Sequence, residues 1–180
     1  MKNTVVLILA VLLLAAIPAS AQPKPSEPAT IPGSLNKMWE TVEKDFISLA
    51  DAMPEDKWSF KATQDVRAFG DQVKHVACAN EAWGKKLRGE KNLPERCDLG
   101  GPNPAKSKAE VMAYLKQTFQ MVDAGLAATN AGNLLQTLSG PYAGSNRLEV
   151  LNAALWHTTD HYGQLVVYMR LNGIVPPASR

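Results

Sequence analysis

The sequence lacks any run of alternating apolar and polar residues that reads as a strand, and it has no internal repeat. Neither charge sign is in clear excess: 19 basic against 17 acidic side chains, scattered and intermixed. A nucleic-acid binder carries a surplus of Lys and Arg on one surface, so nucleic acid is not an expected partner. Beyond the first 21 residues no apolar segment is long enough to span a bilayer. Histidine and cysteine are scarce, at three and two residues, so wherever they gather they carry information.

The N-terminus is the exception to the lack of long apolar runs. Lys2 supplies a short positive region, Val5 to Ile17 is apolar, and Ala19-Ser20-Ala21 has the small-x-small pattern of a cleavage site. The expectation is a signal peptide over residues 1–21, cleavage after Ala21, and export to the periplasm or beyond the cell. An uncleaved anchor is the alternative. It is disfavoured because the run is shorter than the roughly 20 residues of a spanning helix and stops at Pro18. No stable membrane insertion is expected after cleavage. Gln22, not a cysteine, follows the cleavage site, which gives lipid attachment through a cysteine no support. Residues 22–33, with prolines at 23, 25, 28 and 32, read as an extended linker.

Residues 34–180 read as one all-α domain, an antiparallel four-helix bundle. A first helix carries Leu35, Met38, Val42, Phe46, Leu49 and Met53 at three- and four-residue steps and ends at Pro54. Trp58 and Phe60 in the following loop are expected to cap the core, with ligand stacking by Trp58 the alternative. A second helix is expected from near Asp65 to Arg88, with Phe69, Val76, Trp83 and Leu87 as its stripe and Gly89 as its stop. On it His75 lies at the flank of the stripe beside Ala79 and Ala82. Ser107-Lys108-Ala109-Glu110 has capping-box spacing and opens a third helix, whose buried side runs from Val111 to Leu126. Gly140-Pro141 and Gly144 argue against a helix across the next segment. Asn146-Arg147-Leu148-Glu149 is a second capping box and opens the longest helix, closed by Asn172-Gly173 and the prolines at 176 and 177.

The chemistry is expected on that last helix. His157 and His161 stand one turn apart, and with Val150, Ala154, Leu165 and Tyr168 they fall within an arc of about 80° at 100° per residue. Both therefore lie on the inward face. If His75 meets them, three imidazoles form a site for zinc, nickel or a similar divalent ion with positions left open. Such an ion lowers the pKa of its water or polarises a substrate oxygen or sulfur. A pair at i, i+4 is by itself a weak signal, and histidines satisfied in the core are the competing account. Other metal chemistries fail on spacing: no Glu stands three residues before a His, and there is no His-Glu-x-x-His and no Cys-x-x-Cys-His. No nucleophile is placed for a triad. Cys78 paired with Cys97 is the first reading in an oxidising compartment, stabilising by roughly 3 kcal/mol, and Cys78 as a metal ligand is the alternative. Around the site, Asp160 is either a carboxylate that orients a ligand or a solvated residue. Gln164 and Tyr168 are candidates to hydrogen-bond a water or substrate, although packing is the expectation for Tyr168. Asn80 is either a structural bridge or a polar pocket group, and Gly163 reads as a point of close helix approach.

These residues carry a resemblance. Phe69-Gly70-Asp71-Gln72-Val73-Lys74-His75-Val76-Ala77-x-Ala79-Asn80, then His157-x-x-x-His161-Tyr162-Gly163-Gln164, then Tyr168 to Pro177, resemble the DinB-like (YfiT-like) superfamily of metalloenzymes. The resemblance covers nearly all of the mature chain. It implies a four-helix bundle in which His75, His157 and His161 bind one divalent metal, and relatives that include thiol-dependent transferases and a maleylpyruvate isomerase. The signal peptide and the cysteine pair set this chain apart from cytoplasmic members. The expected function is an exported metal-dependent enzyme, of hydrolase or transferase type, acting on a small molecule. The rival is a metal-stabilised binding or structural module. Substrate, catalytic residues and homodimerisation are left open.

Overall fold

The computed structural model describes residues 29–139 and 144–180. The expected signal peptide, most of the expected proline-rich linker and the Gly140-Pro141 segment lie outside them. Among the described residues there are four long helices and no strand beyond one isolated bridge, Thr137 to Asn146. They are α1 (Ile31–Ala52), α2 (Phe69–Leu87), α3 (Lys108–Ala127) and α4 (Arg147–Leu171). None of them is long and apolar enough to cross a membrane.

Each helix end has a local cause. α1 starts at Ile31, three residues earlier than expected, because Thr30 Oγ1 accepts the Gly33 N–H at 3.1 Å and Pro32 occupies a first-turn position that needs no donor. Pro32 and Gly33 thus belong to the helix and not to the linker. α2 starts at Phe69 and not near Asp65. Its N-cap Ala68 offers no side-chain acceptor, and two loop carbonyls serve instead: Phe60 O accepts the Phe69 N–H and Trp58 O the Gly70 N–H, each at 2.9 Å. Both expected capping boxes form, Ser107 with Glu110 and Asn146 with Glu149. Gly89 and Gly173 follow α2 and α4 at φ values of 72°, the left-handed conformation that ends helices.

The helices pack as a square in which α1 and α2 each lie against both α3 and α4. A helix with two neighbours needs a broad buried face, which is why α2 buries Gln72, Ala77, Cys78 and Asn80 as well as Phe69, Val76 and Leu87 of its expected stripe, while Trp83 of that stripe is half-buried. For α1 the same arrangement buries Trp39 at 1% exposure and leaves Met38, on the margin of the expected stripe, 57% exposed. Trp39 and Phe46 pack on Phe119 of α3, and the Trp39 indole N–H donates to Asp123 at 2.8 Å. Trp58 is buried, donates to the Met53 carbonyl and packs edge-on against Phe69, so it caps the core and stacks on no exposed surface.

Between α2 and α3 the backbones nearly touch. A Cβ on Gly84 would lie 2.7 Å from Met121 Cβ and 2.9 Å from its carbonyl carbon, and one on Gly125 would lie 2.5 Å from Leu87 Cδ1. Glycine is required at both positions by the approach itself.

Candidate metal centre

The seam between α2 and α4 is built differently. His75 on α2 faces His157 and His161 on α4, with ring centroids 4.9, 4.8 and 4.4 Å apart. One nitrogen from each ring can be chosen so that all three lie within 4.8 Å of one another. The inward face expected of α4 is observed: His161 is 8% exposed, while His157 and His75 are half-buried.

Two of the three rings are held at Nδ1. His75 Nδ1 donates to the backbone carbonyl of Cys97 at 2.6 Å. A carbonyl only accepts, so the proton is on Nδ1 and Nε2 presents a bare lone pair. His157 Nε2 lies 3.1 Å from that nitrogen. His161 Nδ1 donates to Gln164 Oε1 at 3.0 Å, and Gln72 Nε2 packs against the same nitrogen. This leaves Nε2 of His161 for a ligand. Gln72 also donates to Gln164 Oε1 at 2.8 Å, and Gln164 Nε2 donates to Asp160 Oδ2 at 2.9 Å. Asp160 is exposed and yet acts through Gln164 on the orientation of His161, so both readings of it hold in part.

The electrostatics favour neutral rings. Burial pushes the His157 pKa down to about 3, helped by the charges of His161, His75 and Arg67. Burial likewise lowers His75 and His161, against the Cys97 carbonyl in the first case and Gln164 and Asp160 in the second. Neutral imidazole is the ligating form. One pair of donors also has the spacing of two ligands on a single divalent ion. Two nitrogens bound to one ion at about 2.0–2.1 Å must sit roughly 3 Å apart, which is the His75–His157 spacing. His157 Nδ1 is buried without a partner, which costs stability.

A single turn governs much of this arrangement. Cys78 and Cys97 lie at disulfide distance, with Cα atoms 5.4 Å apart, and neither cysteine is free. Cys78 is thereby removed as a ligand. The pair ties a short 3-10 turn, Cys97–Leu99, to α2. The Cys97 carbonyl of that turn takes the His75 proton, and the Asp98 carbonyl accepts Nε and Nη2 of Arg67 at 3.1 and 2.9 Å. Tyr168 packs on Phe60 and Phe69, and its hydroxyl donates to the Arg67 carbonyl at 2.8 Å. Asn80 is fully buried and accepts from Thr158 at 3.3 Å, a bridge between α2 and α4. A Cβ on Gly163 would meet nothing within 4 Å, so Gly163 is not a point of helix approach. Sequence reasoning missed Arg67 and the ring contact of Gln72. The available signal for Gln72 was its place three residues before His75, on the same side of α2.

The sequence profile of the DinB superfamily matches residues 38–165, which include all three histidines. The chain belongs to the DinB superfamily. Two solved structures agree with this fold. A DinB-like protein from Bacillus cereus is 16% identical with a TM-score of 0.66, covering 82% of this chain and 96% of its own. A DinB-like protein from Bacillus subtilis is also 16% identical, with a TM-score of 0.61, covering 78% and 92%. No curated protein matches the sequence. At such identities the DinB likeness speaks for the helical fold. The chemistry must be argued from the residues of this chain.

Proposed function

We propose that the chain is an exported metal-dependent enzyme of hydrolase or transferase type, in which His75, His157 and His161 hold one divalent ion, zinc or nickel, and act on a small molecule. The observation that carries this reading is the convergence of three imidazoles, one nitrogen of each within 4.8 Å of the others, with Nδ1 of His75 committed to the Cys97 carbonyl and its Nε2 turned toward His157 Nε2. A bound ion supplies a Lewis acid that polarises a substrate oxygen or sulfur. The chain supplies the rest. The Cys97 carbonyl fixes the tautomer of His75, and Gln72, Gln164 and Asp160 fix the ring of His161. With three protein ligands, coordination positions remain for substrate.

Export is supported by the apolar run Val5 to Ile17, the Ala19-Ser20-Ala21 motif and the paired cysteines, which persist in oxidising compartments. One observation favours the structural rival: the histidines bridge α2 and α4, so an ion there would also staple two helices. The two readings separate on protein loaded with zinc or nickel and then stripped with chelator. The enzyme reading expects a small-molecule turnover that vanishes on stripping and returns with the ion, while the melting temperature changes little. A large drop in melting temperature, with no turnover and no exogenous ligand ever bound by the loaded protein, would establish the staple instead.

A further inference from the structure

A cavity of about 460 Å³ opens beside the histidines, walled by Val66, Arg67, Gln72, Gln164, Val167 and Tyr168. No histidine lines the cavity itself, and two of its walls, Gln72 and Gln164, separate it from His161, whose Nδ1 they touch. The volume is within the range of small-ligand sites. Its chemistry is uneven. Val66 and Val167 are 38% and 52% exposed and give it apolar flanks. Arg67 is its one basic wall.

Arg67 is held before any ligand arrives. Its carbonyl accepts the Tyr168 hydroxyl, and its Nε and Nη2 donate to the Asp98 carbonyl. Those bonds fix one side of the fork and leave the Nη1 side uncommitted to them. A guanidinium held in this way loses less side-chain freedom when it binds. The one acidic wall, Asp65, is exposed, whereas Arg67 is half-buried. Solvent and salt therefore screen the acid more than the base. Three neutral imidazoles also leave the charge of a bound cation uncompensated, which favours an anionic partner.

We propose that Arg67 is a substrate-binding residue and that the cavity takes a small monocarboxylate with an apolar body, its carboxylate on Arg67, with the ion as a second, more distant positive pole, and its body along Val66 and Val167. This rests on the metal-site reading for its second pole only, since the apolar flanks and the fixed guanidinium belong to the chain itself. Phosphorylated compounds fit less well. Their higher charge calls for more than one basic group, and the apolar flanks offer it nothing.

The test uses hexanoate and 1-hexanol as probes on zinc-loaded protein, in wild type, Arg67→Met and Arg67→Lys, by calorimetric titration. Metal content and melting temperature are measured first and should be equal in all three, because Arg67 is not a ligand to the ion. Hexanoate should bind the wild type, weaken about tenfold or more in Arg67→Met and largely recover in Arg67→Lys. Binding of 1-hexanol should change less than about twofold. Equal hexanoate affinity in wild type and Arg67→Met, or a wild type that prefers 1-hexanol, would overturn the proposal. If the wild type takes up no zinc, the metal reading fails on its own. The same titrations on metal-free protein then decide the role of Arg67. Should Arg67→Met melt well below wild type, Arg67→Lys against wild type with 1-hexanol as reference decides instead: a charge-bearing variant that loses 1-hexanol and hexanoate equally contradicts the assignment, and one that retains hexanoate supports it.

Discussion

The two faces of α2 are made for different purposes. Toward α3 the contact is close, with Gly84 and Gly125 letting the helices approach until a single added methyl would collide, and its polar link is the Tyr114 hydroxyl donating to Glu81 at 2.6 Å. Toward α4 the contact is polar, with His75, Gln72 and Asn80 set against His157, His161 and Thr158. Two buried nitrogens on this side, Asn80 Nδ2 and His157 Nδ1, have no partner. A seam selected only to hold the bundle together would resemble the first face, because unsatisfied buried polar groups cost about 1–3 kcal/mol each. The second face gives up stability and gathers three histidines that could hold a metal ion. Its supports lie outside the helices, in the turn that the cysteine pair ties to α2.

This contrast can be broken from either side. The largest effect is expected from removing the cysteine pair with Cys78→Ala and Cys97→Ala together. Freeing the turn should lower unfolding free energy by roughly 3 kcal/mol in denaturant titration. It should also weaken zinc binding about tenfold or more, since the Cys97 carbonyl that orients His75 is on that turn. A loss of stability with zinc affinity unchanged would show that the turn does not support the site. On the close face, Gly84→Ala should cost about 1–3 kcal/mol, because its Cβ would meet the backbone of Met121, which cannot rotate away. Metal affinity should stay as it is.

The pH dependence of the metal-free protein should also report the polar face. The three histidines have folded pKa values below the unfolded value of about 6.5. Protons therefore bind the unfolded chain first. The stability is fully present above about pH 6.5 and is lost as pH falls through the window below it, which for His157 extends to about 3. Melting temperature measured across this range should decline in wild type and decline less steeply in His157→Leu. Parallel curves would mean that the ring is not buried as a neutral group. The smallest effect is expected at Gly163→Ala, where the added methyl meets nothing. It should leave zinc affinity unchanged and stabilise by about 0.5–1 kcal/mol through helix propensity.

How much of this could be read from the sequence follows from the same contrast. Ser107 with Glu110 and Asn146 with Glu149 announce two helix starts because capping is local, and His157 with His161 announce a face because helical period is local. The pattern around Asp65 does not give the true start of α2 at Phe69, because its caps are carbonyls of Trp58 and Phe60, supplied by a loop whose path the sequence does not reveal. Met38 was assigned to the core because a single stripe was assumed for a helix that in fact has two neighbours. Arg67 escaped notice for a third reason. It enters the site from a loop, held by one carbonyl of the tethered turn and by a hydroxyl on α4, so its position depends on three separate parts of the fold.

The account stands most directly on metal analysis of purified protein after exposure to zinc or nickel and removal of excess, wild type beside His157→Ala. It predicts close to one equivalent of divalent ion per wild-type chain and none in the variant, with both still folded. A folded wild type that retains no stoichiometric ion, or a variant that retains as much as the wild type, would contradict it.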